Sequence, residues 1–288
     1  MHAPGAPTRR RHLGPERLLN SATMLAQLRG AIHNWRFSPR SRDFLPTRGQ
    51  QISLPQRGFD ICKPAYSRER LQKQFHEIRD DTFWQIVPEV HDFTQLSMEP
   101  MWSLYEAVRY LIARGIKGDF VECGVFFGGA SMLIAKTLLS LGDTSRDLWL
   151  YDSFQGFVGE QAKDDVTWYG DAIKTRFPDF DGIARDNIAS TGYPPEKLRL
   201  VKGDVEKTAA NNKNGDIALL RLDTDTYYST KAELEHFYPK LVSGGVLIID
   251  DYGHAFGARR AVDEHFAEPG KRLLLNRVNF TNRLAVKM

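Results

Sequence analysis

The 288-residue chain has only two cysteines, Cys62 and Cys123, which excludes a disulfide framework and makes a reducing cytoplasm the expected setting. No apolar run approaches the roughly 18 residues that a membrane-crossing helix requires. No membrane partner is therefore expected. The first fifty residues contain no lysine, and only Glu16 and Asp43 oppose nine arginines there. Such an acid-poor leader suits an address, a nucleic-acid arm or a solvated tail. It lacks the apolar core and small-residue cleavage site of a secretory signal, and its Gly/Pro-rich start favours a tail. No nucleic-acid partner is expected. G-x-G-x-x-G, the dinucleotide fingerprint, is also missing.

What is present divides the chain into three. Residues 1–57 form a basic extension, possessing helical apolar spacing around Leu18–Ile32 but ending in a Pro/Gly-punctuated linker over 36–57. Residues 58–99 lean towards helix and suggest a cap. Residues 100–288 carry a regular alternation. A helix is expected over 100–114, opened by Pro100 and stopped by Gly115. Five apolar bursts follow, each short enough for a buried strand: Phe120–Cys123, Leu148–Tyr151, Leu198–Val201, Ile217–Leu222 and Val246–Ile249. Helical patterns at 129–141, 182–191 and 228–242, and another after Gly257, separate most of them. This alternation implies an α/β fold, a doubly wound and mostly parallel sheet covered on both faces. Two last strands, Leu273–Leu275 and Leu284–Val286, are too closely connected for a parallel crossover, so a C-terminal antiparallel hairpin completes a seven-stranded sheet.

Ligands of such sheets bind at the carboxyl ends of the strands. The first strand runs into a glycine turn containing Glu122, Gly124 and Gly128. The second ends in Asp152, Ser153 and Phe154, and the third reaches Asp204. Each acid could serve as a helix cap, and the glycines could merely allow close packing. Acids at three strand ends nevertheless suit a cationic ligand better than a pyrophosphate. S-adenosylmethionine, with a sulfonium and an ammonium, fits that charge pattern better than NAD.

The fourth and fifth strands end in Asp223-Thr224-Asp225 and Asp250-Asp251. If these strands are neighbours, four carboxylates converge, which is costly unless a cation neutralises them or some are protonated. Oxygen ligands without a His or Cys partner suit a hard cation such as Mg²⁺. A metal would acidify an acceptor hydroxyl, and a carboxylate free of it could take the proton.

Together GDFVECGVFFGGAS (118–131), LYDSFQGF (150–157), KLRLVKGDVEKT (197–208), LLRLDTDTYYST (219–230), FYPKLVSGG (237–245) and IIDDYGHAFGARRAVDEHF (248–266) resemble the macrocin O-methyltransferase family. The resemblance spans about residues 93–288. It implies the class I S-adenosylmethionine-dependent methyltransferase fold and Mg²⁺-assisted methylation of a sugar hydroxyl. Asp223, Asp250 and Asp251 would then hold the metal, with Asp225 as general base. Glu122, Gly124, Asp152, Ser153 and Asp204 would line the cofactor pocket, and Thr94 matches a family threonine. A homo-oligomer and a hydroxylated small-molecule acceptor, a glycoside, are also implied. Residues before 93 and the 158–180 segment, expected to form part of an acceptor lid, have no counterpart, so the acceptor stays open. A phenol or catechol acceptor, a nicotinamide-dependent oxidoreductase and a non-catalytic S-adenosylmethionine-binding protein are the alternatives. Cys123 reads as a buried small residue, and His254 as a loop histidine or substrate contact. Tyr227, Tyr228 and Tyr252 read as packing or acceptor-pocket residues. Arg259 and Arg260 read as helix-surface residues or contacts for an acidic group on the substrate.

Overall fold

The computed structural model describes residues 66–158 and 179–288, together with the backbone of two short strands before them. The helical spacing near residues 18–32 and most of the 158–180 lid segment lie outside the described residues. The elements run β1 Ile52–Leu54, β2 Phe59–Ile61, α1 Arg68–Gln74, α2 Asp81–Val90, α3 Met98–Ala113, β3 Asp119–Cys123, α4 Gly129–Ser140, β4 Leu148–Asp152, α5 Asp181–Ala189, β5 Leu198–Lys202, α6 Val205–Thr208, β6 Ile217–Leu222, α7 Tyr227–His236, β7 Leu241–Ile249, α8 Phe256–Ala267, β8 Asn276–Arg277 and β9 Arg283–Val286.

All six residues of β6 are buried, as a strand covered on both faces requires. It lies inside a seven-stranded sheet of order β5-β4-β3-β6-β7-β9-β8. The first five strands of that order are parallel, and β9 pairs antiparallel with both β7 and β8. From β3 the chain winds outwards to β4 and β5, then returns to β6 on the other side. The switch point therefore falls between β3 and β6, where open sheets of this kind bind ligands. The expected doubly wound sheet with an antiparallel C-terminal hairpin is the observed one.

Three boundaries differ. The helix expected to reach residue 242 stops at His236, because Pro239 cannot continue it. Strand β7 then begins at Leu241, opposite Ile217, five residues before the expected start. The strand expected at Leu273–Leu275 is displaced to Asn276–Arg277. Leu273 and Leu275 instead pack against the core from outside the ladder. Asn279 sets the hairpin turn, its Oδ1 accepting the backbone N–H groups of Thr281 and Asn282 at 2.9 and 2.7 Å. A short β1–β2 pair also crosses the expected boundary at residue 57.

The segment read as a cap is continuous with the main core. Phe83, Trp84, Val87 and Val90 of α2 are buried in the same apolar cluster as Leu104, Val108 and Leu111 of α3 and Leu133 of α4. Asp80 caps α2 through the backbone N–H of Phe83 at 3.0 Å. The same carboxylate accepts from Tyr105 at 3.0 Å and from Arg109 at 2.9 Å, tying α2 to α3. No helix among the described residues is long and apolar enough to cross a membrane.

Candidate active site

The carboxyl ends of β3, β4, β6 and β7 meet at the switch point, and backbone strain gathers there. The three non-glycine residues with positive φ among those described are Phe126 (φ 50), Phe154 (φ 53) and Asp225 (φ 63), one after each of β3, β4 and β6. Left-handed backbone is costly for such residues and tends to persist at functional sites, where the surroundings over-determine it.

The glycine turn after β3 is shaped first by the protein itself. A Cβ on Gly124 would lie 1.9 Å from the carbonyl oxygen of Asp223, so β3 and the β6 loop approach as only glycine permits. A Cβ on Gly129 would lie 2.5 Å from the Phe93–Thr94 backbone, and this contact seats the stretch before α3 on the start of α4. Thr94 is buried there, its hydroxyl accepting the N–H of Leu96. Gly128, with φ 87, precedes α4 and abuts Ile188.

Asp152 closes the turn from the neighbouring strand. Its Oδ2 accepts the N–H groups of Val125 and Phe126 at 2.7 and 2.8 Å, and its Oδ1 accepts that of Phe154 at 2.7 Å. Burial raises its pKa above the ordinary carboxylate value, against the lowering effect of those donors. With one donor on Oδ1, that oxygen retains capacity for a further hydrogen bond. Ser153 donates to the Gly156 carbonyl at 2.6 Å. Asp204 caps α6 through the Glu206 N–H. Phe154 is fully buried against Phe180, so only its backbone is offered to the turn. Glu122 lies beneath the turn rather than on its open side. It is 1% exposed, accepts from Arg221 at 2.7 Å through Oε1, and accepts from Ser131 through Oε2.

Beyond the turn lies the acidic centre. Asp223, Asp250 and Asp251 can each present a carboxylate oxygen such that all three lie within 4.8 Å of one another. Burial pushes the carboxyls of Asp223 and Asp251 well above the usual range. Repulsion adds to this, from Asp250 and Asp251 on Asp223 and from Asp225 and Asp250 on Asp251. Asp251 Oδ2 is buried with no hydrogen-bond donor. An all-oxygen donor set with an orphaned buried carboxylate oxygen fits a hard divalent cation. Asp225 is 8% exposed and close enough to Asp251 to affect its titration. The four aspartates expected to converge are thus together.

Three residues of this centre, Arg221, Glu233 and Asn282, carried no role in the sequence reading. Arg221, the penultimate residue of β6, is 2% exposed. Besides Glu122 it pairs with Asp223 at 2.7 Å and Asp250 at 3.2 Å. Burial alone would lower its pKa, but these three carboxylates outweigh burial and raise it. A charged residue within an otherwise apolar strand was the available signal. Glu233 of α7 is fully buried and accepts from Thr224 at 2.9 Å, bracing the loop between Asp223 and Asp225. Burial raises it to about 8, and Cys123 lies in contact with it. That burial and contact push the Cys123 thiol up, as expected of a structural cysteine. Asn282 contributes from β9's approach, donating to the Asp250 side chain at 2.5 Å.

A family model described as Macrocin-O-methyltransferase (TylF) matches residues 65–282. A tetracenomycin-type rhamnoside 4'-O-methyltransferase of Streptomyces olivaceus is 32% identical over 166 residues, 55% of this chain and 62% of that protein. The chain therefore spans less than two thirds of that relative's length. Demethyldecarbamoylnovobiocin O-methyltransferase of Streptomyces niveus is 31% identical over 183 residues, 61% of this chain and 68% of its own. Among solved structures, the O-methyltransferase NovP superimposes with a TM-score of 0.60 at 22% identity, covering 77% of this chain and 99% of that one. The calicheamicin methyltransferase CalS11 gives 0.55 at 22% identity, over 76% and 90%. These two likenesses bear on the fold.

Proposed function

The chain belongs to the macrocin-O-methyltransferase family, and from that premise we propose that it transfers a methyl group from S-adenosylmethionine to a hydroxyl of a sugar or glycosylated natural product. The observation that carries this reading is the acidic centre, with Asp223, Asp250 and Asp251 within 4.8 Å and Asp225 beside them in strained backbone. Asp223, Asp250 and Asp251 would hold a divalent cation, Mg²⁺ by donor type, and Asp225 would act as general base. The bound cation would lower the pKa of an acceptor hydroxyl.

The residues divide the remaining work. The turn from Gly124 to Gly128 would border the cofactor at the end of β3, and Asp152 Oδ1 is suited to a ribose hydroxyl. Ser153, the Phe154 backbone and Asp204 complete that side. Glu122 acts from below by fixing Arg221, which in turn orients Asp223 and Asp250. The cofactor would supply a methyl group to the acceptor oxygen and be left as a neutral thioether, and Asp225 would take the hydroxyl proton. Positioning supplies much of the rate, because the two reactants meet in a fixed geometry.

The test is calorimetry with S-adenosylmethionine, in Mg²⁺ and after EDTA, coupled to methyl transfer on a panel of glycosides. Cofactor binding together with transfer that stops on chelation is expected. Absence of cofactor binding under both conditions overturns the assignment.

A further inference from the structure

Three arginines gather at the outer edge of the acidic centre, and the chemistry proposed above does not use them. Arg283 lies with its Cζ 4.7 Å from the centre of the Tyr252 ring, and Arg259 lies 5.5 Å from the same ring. Arg277 faces Arg283 directly across the β8–β9 ladder. Like charges in that relation oppose strand pairing. Little offsets them. Arg283 donates to the carbonyls of Asn279, Phe280 and Asn282 and to no carboxylate. Arg277 likewise donates to the Asn279 carbonyl. Asp263, which accepts from Arg259 at 3.4 Å and from the Tyr252 hydroxyl at 2.6 Å, is the one carboxylate in contact with the group among the described residues. Burial lowers the Arg283 pKa, and repulsion from Arg277 and Arg259 adds to it.

The position of the group is as informative as its charge. Tyr252 follows Asp251 in the chain, and Arg283 follows Asn282, whose amide clasps Asp250. Tyr252 and Arg283 therefore sit one residue outward from the acidic centre, one on each of two segments that build it, with Arg259 beside Tyr252 and Arg277 opposite Arg283. A planar guanidinium matches a phosphoryl group through paired hydrogen bonds, and an excess of about two positive charges suits a dianion.

We infer that Arg259 and Arg283 against Tyr252, with Arg277 facing Arg283, form a subsite for a phosphoryl group carried by the acceptor. The inference rests on the methyltransferase reading for the word acceptor, but the anion site itself does not. It narrows the acceptor class to a phosphorylated sugar, either a sugar phosphate or a nucleoside diphosphate sugar.

The experiment titrates inorganic pyrophosphate, and separately S-adenosylhomocysteine, into the metal-free full chain and into Arg277→Gln, Arg283→Gln and Arg283→Lys. Saturable pyrophosphate binding is expected, weakened about 10-fold or more by each Gln substitution and partly restored by Lys, with S-adenosylhomocysteine affinity held. Held affinity also shows that the variants are folded. Displacement of pyrophosphate by a nucleoside diphosphate sugar or by a sugar 1-phosphate supports the subsite in either case, and the tighter competitor names the source. No saturable binding by the unaltered chain overturns the inference. So does equal binding by all variants, or a Gln variant that loses Mg²⁺ affinity while keeping pyrophosphate, since the arginines then serve to balance the aspartates. Failure of S-adenosylhomocysteine to bind the unaltered chain would instead count against the methyltransferase reading and leave the anion site standing.

Discussion

Asp225 lies in the loop after β6 that Glu233 braces from α7, yet substitutions at the two should be read out in different quantities. Asp225→Asn keeps the shape and removes the proton acceptor. Turnover should fall about 100-fold to 10,000-fold, the range for loss of a general base, while S-adenosylmethionine affinity stays near that of the unaltered chain. Single-turnover kinetics beside calorimetry checks this, and full activity in the variant would remove Asp225 from the mechanism. Glu233 touches Thr224, so its effect is on stability and loop position. Its pKa is raised to about 8 by burial. The folded chain therefore holds a proton that the unfolded chain has released above about pH 4.3. Stability from this group is fully present below that unfolded value and is lost as pH rises through about 8. Glu233→Gln, neutral at every pH, should melt with a flatter pH dependence and gain on the unaltered chain on the alkaline side. Parallel melting curves from about pH 5 to about 9 would show that Glu233 is not the titrating group.

At the scale of elements, the close approach of β3 to the β6 loop is the feature that a single methyl group tests best. Gly124→Ala would set a Cβ 1.9 Å from the Asp223 carbonyl oxygen, at φ 84. Backbone cannot yield there without moving Asp223 out of the acidic centre. The substitution should cost at least about 3 kcal/mol in denaturant unfolding. Gly142→Ala is the control: its φ of 71 is also strained, but its Cβ would meet nothing within 4 Å. A similar loss at both positions would assign the whole effect to backbone conformation. The same elements explain what was legible beforehand. Strands β3, β4, β6 and β7 are apolar bursts closed by glycine or aspartate, so both their existence and the acids at their ends could be read from the order of residues. Asp223, Asp225, Asp250 and Asp251 converge because β6 and β7 are neighbours, an adjacency that the alternating pattern allowed but only the sheet order fixes. Arg221 and Glu233 could not be given partners in the same way, since Glu122 is 99 residues from Arg221 along the chain and Glu233 reaches its loop only through the turn of α7. The start of β7 and the place of β8 were missed for a related reason. Leu273–Leu275 is as apolar as a strand, but Asn279 fixes the hairpin turn and moves the ladder to Asn276–Arg277.

For the whole molecule, the balance of charge at the switch point couples folding to metal and to pH. Arg221 supplies one buried positive charge among Glu122, Asp223 and Asp250, which leaves the centre with an excess of acid. Without a cation the chain can relieve that excess by holding protons on Asp223 and Asp251, whose pKa values are raised by burial and by repulsion from the neighbouring carboxylates. A group raised in this way stabilises the fold fully below its unfolded pKa and loses that contribution as pH rises through the folded one. The metal-free protein should accordingly weaken as pH increases. A divalent cation binds the deprotonated carboxylates, so it competes with protons and acts most strongly where they have left. At a hundredfold excess over its dissociation constant it should add about 2.7 kcal/mol, or roughly 5–10 °C in melting temperature for a chain of this size. The gap between melting in Mg²⁺ and melting in EDTA should therefore widen steadily from mildly acidic to mildly alkaline buffer. Asp251→Asn, which removes the carboxylate with the orphaned oxygen, should shrink the gap at every pH. A gap that is constant across pH, or unchanged in Asp251→Asn, would mean that the cation binds elsewhere and that Arg221 with retained protons is what balances the four aspartates.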